Sequence, residues 1–143
     1  MLKNSSDVSS ETRLILLVHG FGGNPERMNF YHNFLTALNN NGWQIEKVDG
    51  LDPDYGVNSL AGSDFNTKQI EFFIKRKTGK DISELPDKSL YLIGFSIGGL
   101  VCRQFSVWHP DKVAKVVMIG TPNGGVNYFG STPDSSSWVG TYH

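Results

Sequence analysis

The sequence predicts an α/β domain built on a mostly parallel sheet with helices on both faces. Apolar runs alternate with helical patterns in the order strand, helix, strand, helix, strand, helix, strand. Such alternation is typical of a parallel sheet with right-handed crossovers. The first and last runs carry apolar residues on both faces, which favours strands that are buried on both sides. Glycine-rich loops follow the first and third strands, at the sheet end where such domains bind ligands.

The first half of the chain contains two predicted strands and one predicted helix. The apolar run Leu14 to Val18 forms the first strand and ends at a glycine-rich loop. A helix is predicted from Glu26 to Asn40, where Asn-Asn-Gly is a stop signal. Its apolar residues recur at three- and four-residue spacing: Phe30, Phe34, Leu35 and Leu38. Gln44 to Val48 forms a weaker second strand.

A long loop and a second helix follow. Residues 49–63 contain three glycines and a proline, and their length suggests a functional or flexible loop. Ser63 or Asp64 is a candidate cap for a helix from Phe65 to Lys77. Its predicted buried stripe consists of Ile70, Phe73 and Ile74.

The third and fourth strands enclose one helix. Residues 89–95 predict a strand, and a helix begins directly after Ser96 and runs to about Trp108, where Pro110 ends it. Residues 113–119 predict a strand that is apolar on both faces. Beyond Gly120 the sequence is rich in Gly, Ser, Thr and Pro, and no element is predicted there.

Composition excludes several classes of protein. The 143 residues suffice for one domain, and 38% of them are hydrophobic. A net charge of −1 provides no electrostatic attraction to nucleic acid or to an anionic membrane. The basic cluster Lys75-Arg76-Lys77 with Lys80 is interpreted as a solvated helix end. No metal-ligand spacing is present, and no cofactor is implied.

Cysteine content and hydropathy bear on compartment. Cys102 is the single cysteine, so no internal disulfide forms, and we expect it to be a small buried residue rather than a reactive thiol. The N-terminal segment lacks a signal-like apolar core, and the run 14–18 is too short to span a bilayer, which needs about 20 residues. A cytoplasmic protein is the default expectation.

The segment Gly94-Phe95-Ser96-Ile97-Gly98 carries the strongest chemical signal. It lies between a predicted strand and a predicted helix, the context in which Gly-x-Ser-x-Gly exposes a nucleophilic serine on a strained turn. Side chains at Gly94, Gly98 or Gly99 would collide with the neighbouring strand and helix. Two other interpretations remain: a glycine-rich turn with an incidental serine, and a phosphate site at the helix N-terminus, whose glycine fingerprint is absent.

The segment His19-Gly20-Phe21-Gly22-Gly23 suits the part of such a site that stabilises the negative charge formed during the reaction. Acyl transfer places negative charge on a carbonyl oxygen, which two backbone N–H groups stabilise. We expect Phe21 and Ile97 to supply these donors, and the glycines let the loop turn its amides inward. His19 ends the strand and is expected to hold the loop by hydrogen bonding rather than to act as the base.

Three segments together resemble the lipase and esterase branch of the α/β-hydrolase superfamily. They are Leu17 to Asn24, Ile93 to Val101, and His109 to Gly125. The last contains Gly120-Thr121-Pro122-Asn123-Gly124-Gly125, which is similar to the Gly-Thr-Pro-x-Gly-Gly signature of triacylglycerol-lipase-like proteins and their acyl-transferring relatives.

The resemblance implies a three-layer α/β-hydrolase fold and ester hydrolysis through an acyl-enzyme on Ser96. The implied substrate is a small-molecule or lipid ester, with transient contact to a membrane or lipid interface. Acyl transfer to an alcohol would use the same site, and a non-catalytic binding protein of the same fold is the alternative from another class. The oligomeric state is left open.

The resemblance also implies an acid and a base after the nucleophile, in the order serine, acid, histidine. His109 lies at the far end of a helix about 18 Å long and is interpreted as a surface residue. His143 and Asp134 are the remaining candidates for base and acid. The favoured interpretation is that the hydrolase core is cut short after the fourth strand.

The expected organisation is therefore a disordered lead-in over 1–12, a partial hydrolase core over 13–125, and an irregular tail over 126–143 that begins a lid or insertion.

Two sets of aromatic or apolar residues have a functional and a structural interpretation. Lipid contact or packing accounts for Trp43, Trp108 and Trp138, with packing the default for the first two; an acyl-pocket wall or helix-face packing accounts for Met28, Phe30 and Tyr31.

Overall fold

Seven helices and strands alternate along the part of the chain that the structure describes. A computed structural model describes residues 13–20, 22–39, 42–52 and 60–123. The elements are β1 (Leu14–Val18), α1 (Asn29–Leu38), β2 (Gln44–Lys47), α2 (Leu60–Thr78), β3 (Leu90–Phe95), α3 (Gly98–Trp108) and β4 (Val113–Ile119). Two 3₁₀ turns, Pro25–Met28 and Ile82–Glu84, precede α1 and β3. The predicted lead-in and tail lie outside the described residues.

The strands form one sheet in the order β2-β1-β3-β4, and every pair is parallel. Because parallel neighbours need a crossover, each connection carries a helix. The parallel α/β architecture predicted from the sequence is confirmed.

The central strand β1 separates two apolar layers. Alternate residues of a strand point to opposite faces, so Leu14, Leu16 and Val18 share one face and Ile15 and Leu17 the other. The first face packs with residues of α2 and α3, including Ile70, Phe73, Ile74, Val101, Cys102 and Phe105. The second packs with Met28 and with Tyr31 and Leu35 of α1. Both faces are covered, which explains the absence of polar alternation in β1.

Two predicted helix starts are wrong. The first four residues of the predicted 26–40 helix are mostly a 3₁₀ turn, capped by the Asn24 side chain, which accepts from the Glu26 N–H at 3.0 Å. The second helix already begins at Leu60, so Ser63 and Asp64 lie inside it and do not cap it. Ser63 and Asp64 are of the residue types that cap helices, but the upstream residues Leu60 and Ala61 are strong helix formers and extend the helix past them. Its predicted stripe at 70, 73 and 74 is buried as expected.

The prediction that β4 is buried on both faces is wrong for the described residues. Val117 is 42% exposed and Met118 38% exposed. In the described part of the chain β4 pairs only with β3, so it is an edge strand there. An apolar composition shows what a strand is able to bury, whereas burial itself depends on neighbouring elements.

The apolar and aromatic residues that had both a packing and a binding interpretation differ in how far they are buried. Met28 is fully buried and Tyr31 is half-buried, but Phe30 is 73% exposed. Trp43 packs on Tyr91 with ring centroids 4.8 Å apart, whereas Trp108 is 43% exposed. Trp138 lies outside the described residues.

The basic cluster is a charged helix end, as expected. Lys75 pairs with Asp81 at 3.5 Å, Arg76 with Asp49, and Lys77 with Glu46 at 3.8 Å. Cys102 is fully buried, and burial raises the pKa of its thiol, as the inert interpretation expects. None of the described helices combines the length and apolarity needed to cross a bilayer.

We expect the shortening of a buried side chain in β1 to destabilise the domain. Leu16 is fully buried in β1, so Leu16→Ala should lower the free energy of unfolding by about 2–5 kcal/mol through lost burial and a cavity. Val107, on α3, is 67% exposed, and Val107→Ala should change it by less than about 0.5 kcal/mol. Urea denaturation compares the two, and equal midpoints would contradict this account of the core.

Candidate active site

Ser96 occupies the turn between β3 and α3 in a left-handed backbone conformation. Its φ is 55°, a region that costs a non-glycine residue about 1–2 kcal/mol. The Ser96 N–H donates to the carbonyl of Ile119 at 2.8 Å. The Ser96 carbonyl accepts from the Thr121 hydroxyl at 2.8 Å and from the Gly99 N–H at 3.0 Å. The strained residue is therefore hydrogen-bonded on both sides of its Cα.

The start of α3 packs directly against backbone of neighbouring segments. A Cβ at Gly94 would lie 2.5 Å from the Cα of Gly99. A Cβ at Gly98 would overlap the carbonyls of Val18 and His19, at the end of β1. A Cβ at Gly99 would overlap the Thr121 hydroxyl. These three glycines allow the serine turn to approach the strand ends.

The loop after β1 brings Gly20 beside Ser96. A Cβ on Gly20 would lie 2.8 Å from the Phe95 carbonyl and 2.9 Å from the Ser96 Cβ. The Gly20 carbonyl accepts from the Gly23 N–H at 3.1 Å and lies 3.1 Å from Nδ1 of His19, which is 2% exposed. His19 thus sits at the base of the loop. Gly22 has a φ of 58°, and Phe21 lies outside the described residues.

The backbone N–H of Ile97 is a candidate donor next to the serine. Among the described residues it donates to no backbone carbonyl, whereas the Ile97 carbonyl accepts from Leu100 and Val101 at 2.9 and 3.2 Å. This follows from the position of Ile97 at the start of α3, where the first N–H groups have no partner within the helix.

A cleft of about 110 Å³ opens at Ser96. Gly20, Gly23, Arg27, Phe95 and Ser96 line it. Phe95 is 41% exposed, and its ring centroid lies 6.4 Å from that of Tyr31. Among the described residues, the cleft therefore combines a hydroxyl, an aromatic wall and the cationic side chain of Arg27.

No histidine among the described residues hydrogen-bonds to the Ser96 hydroxyl. His109 lies at the opposite end of α3, about 16 Å along the helix. Its interpretation as a simple surface residue is wrong, because its Nε2 lies 2.7 Å from Oε1 of Glu71 and its side chain is only 18% exposed. That contact joins α3 to α2. His143 and Asp134 lie outside the described residues.

Two residues of the site had no assigned role in the sequence analysis. Thr121 appeared only as part of the Gly-Thr-Pro segment, and its bond to the Ser96 carbonyl becomes apparent only when the exit of β4 meets the serine turn. Arg27 appeared only inside a predicted helix, where helical periodicity does not indicate that it borders a cleft. The Gly-Thr-Pro motif singles out Thr121 but does not indicate its contact with Ser96, and Arg27 lies in none of the three family segments.

Glycine at position 96 should relieve the backbone strain and should therefore be more stable there than alanine. Ser96→Gly should be more stable than Ser96→Ala by about 0.5–1 kcal/mol, because glycine tolerates a positive φ but loses more chain entropy on folding. Ser106 lies inside α3, and there glycine should be about 1 kcal/mol less stable than alanine. Chemical denaturation of the four variants tests this opposition in sign. The same sign at both positions would contradict the strain.

Loss of the Thr121 hydroxyl should loosen the serine turn. Thr121→Val keeps the shape and removes the donor to the Ser96 carbonyl, which should cost about 0.5–1.5 kcal/mol of unfolding free energy. Thr121→Ser keeps the donor and should cost less. Thermal and urea unfolding provide the comparison, and a valine variant as stable as the parent would remove this role.

The chain matches the alpha/beta hydrolase fold family over residues 13–138. A pimeloyl-[acyl-carrier protein] methyl ester esterase of Aeromonas hydrophila is 26% identical over 107 residues, which are 75% of this chain and 37% of that protein. A 2-hydroxy-6-oxononadienedioate/2-hydroxy-6-oxononatrienedioate hydrolase of Paraburkholderia phymatum is 28% identical over 134 residues, 90% of this chain and 43% of that protein.

Solved structures share the fold. An extracellular alpha/beta-hydrolase from a Paenibacillus species superposes with a TM-score of 0.55 at 22% identity, covering 76% of this chain and 40% of its own. The monoacylglycerol lipase of Paleococcus ferrophilus gives a TM-score of 0.53 at 24% identity, covering 86% and 44%. The chain spans less than half the length of these relatives. On its sequence match and its sheet topology, the chain belongs to the alpha/beta hydrolase fold family.

Proposed function

We propose that this chain carries the nucleophile of a serine-dependent carboxylic-ester hydrolase, with Ser96 as that nucleophile. The observation that supports the proposal most directly is the strained Ser96 in the lining of the cleft, hydrogen-bonded through both its N–H and its carbonyl. A serine on such a turn, after a strand and before a helix, presents its hydroxyl where a substrate carbonyl is able to approach it.

In the first step the Ser96 Oγ attacks the ester carbonyl and transfers its proton to a base. The negative charge moves to the carbonyl oxygen. When this intermediate collapses, the base returns the proton to the leaving oxygen, so that the alcohol departs and an acyl ester remains on Ser96. The base and its orienting acid must come from outside the described residues, and His143 and Asp134 remain candidates for them.

Two backbone amides form the proposed oxyanion hole. Ile97 contributes an N–H that no described carbonyl accepts, and Phe21 contributes a second from the loop held by His19 and Gly20. A preorganised donor of this kind is worth about 3–4 kcal/mol of transition-state stabilisation. The contact between Gly20 and Ser96 supports this arrangement, since it brings the loop and the serine turn together.

Water completes the reaction by attacking the acyl ester, which frees the acid and restores Ser96. The same intermediate is able to react with an alcohol, and acyl transfer is therefore the alternative outcome at this site. One relative is named as a methyl ester esterase and another as a hydrolase, which supports water as the acceptor.

The proposed substrate is a small-molecule or lipid ester. The motifs of the chain resemble those of lipases, which supports a lipase-like enzyme. Phe95 and Tyr31 offer an aromatic wall to an apolar part of the substrate. Phe30, Phe34 and Leu38 line one exposed face of α1, at four-residue spacing, and support transient contact with a lipid interface.

Labelling with an alkyl fluorophosphonate tests the proposed nucleophile. The Ser96 oxygen should displace fluoride and form a phosphonyl ester, which intact-mass spectrometry of the full-length protein detects as one adduct. Ser96→Ala should abolish the adduct. Ser106→Ala is the matched control, because Ser106 lies on α3 with its hydroxyl bonded to the Arg103 carbonyl, and it should leave labelling unchanged.

Absence of a Ser96-dependent adduct would overturn the proposal and favour a non-catalytic binding protein of this fold. If labelling succeeds, incubation with an ester in the presence and absence of an added alcohol separates the two acceptors. Free acid as the main product supports hydrolysis, and a new ester of the added alcohol indicates acyl transfer.

A further inference from the structure

Arg27 is the charged side chain among the described residues that line the Ser96 cleft. The other lining residues are glycines, a phenylalanine and the serine itself. The proposed hydrolysis requires no cation at this position, since the oxyanion donors are backbone amides. The cleft therefore contains one group that the proposed reaction does not explain.

The backbone that carries Arg27 is held in place from both ends. Its N–H donates to the Asn24 carbonyl at 3.0 Å, and the Asn24 side chain caps the same turn. The next residue, Met28, is fully buried beneath β1 and anchors the turn to the sheet. The Arg27 side chain passes close to Gly23: a Cβ added to Gly23 would lie 3.4 Å from the Cγ of Arg27.

The guanidinium of Arg27 makes no hydrogen bond, ion pair or ring contact with any described residue. Several other cations among the described residues do have such contacts: Lys75, Arg76, Lys77 and Lys112 pair with carboxylates, and Arg13 lies over the Trp43 ring. Glu26 is adjacent in sequence and exposed, yet forms no pair with Arg27 within the described structure. Within the described part of the chain, the N–H donors of the Arg27 guanidinium are therefore not used by any protein group.

We propose that Arg27 binds a carboxylate on the substrate of Ser96, so that the preferred ester carries a free acid group. The inference rests on the proposed function. The planar guanidinium presents paired N–H donors that match the two oxygens of a carboxylate. Phe95 borders the same cleft and would receive the apolar stem between the carboxylate and the ester. Arg27 is then a specificity-determining residue rather than a catalytic one.

A pair of chromogenic esters tests the proposal on the full-length protein. Mono-4-nitrophenyl adipate carries a carboxylate, and 4-nitrophenyl hexanoate has the same chain length without a charge. The measured quantity is the ratio of kcat/KM for the charged ester to that for the neutral ester. Arg27→Met should lower this ratio by about tenfold, which corresponds to about 1.4 kcal/mol. Arg27→Lys should restore part of it, because the charge returns without the paired donors.

Arg13→Met is the matched control. It removes the same charge from the opposite end of β1, about 20 Å from Gly20 along the strand direction. It should leave the ratio unchanged. An unchanged ratio in Arg27→Met, or an equal fall in Arg13→Met, would overturn the assignment of a carboxylate site to Arg27.

A binding measurement keeps the two proposals separable. If the protein hydrolyses neither ester, fluorophosphonate labelling of Ser96 judges the proposed function, and NMR titration of the Arg27 Nε–H signal judges the carboxylate site. Monomethyl adipate should shift this signal saturably, and methyl hexanoate should not. No shift with monomethyl adipate, or the same shift with both esters, would show that Arg27 does not select a carboxylate.

Discussion

The start of α3 packs against the strand ends with no side chain between them, and the candidate site depends on this contact. Gly98 lies against the carbonyls of Val18 and His19, and Gly94 lies against Gly99. Because the two backbones meet so closely, the chain must turn sharply between β3 and α3. Ser96 accommodates that turn with a positive φ, and its N–H and carbonyl are held by Ile119 and Thr121. The strain is therefore stabilised by elements that are distant in sequence.

The sheet supplies the rigidity that this turn requires. β1 is covered on both faces by helices, and its neighbours β2 and β3 align in parallel so that β1 and β3 end on the same edge. The loops after β1 and β3 consequently meet, which brings Gly20 to Ser96. The cleft between them combines an aromatic wall at Phe95 with the guanidinium of Arg27, which pairs with none of the described residues. These features suit an ester that has both an apolar part and an anionic group.

Much of the fold follows from local patterns. The strand–helix alternation, the double burial of β1 and the buried stripe of α2 all depend on short-range apolar spacing, and all three appear in the structure. Element boundaries and exposure were less predictable. The start of α2 at Leu60 and the exposure of Phe30, Trp108 and Val117 depend on which elements lie nearby, and residue type alone does not encode this. The pairing of His109 with Glu71 is of the same kind, since it joins two helices.

The sequence by itself determined the family, the parallel α/β architecture and the position of Ser96 between a strand and a helix, because each is encoded in consecutive residues. Only the tertiary structure decided how the serine turn is held, since Ile119 and Thr121 contact it from the end of β4 and the residues just after it. Only the tertiary structure placed Arg27 at the cleft and left its charge without a partner among the described residues. The physical reason is the same in each case: these contacts join segments that are far apart in the chain and meet only when the sheet has formed.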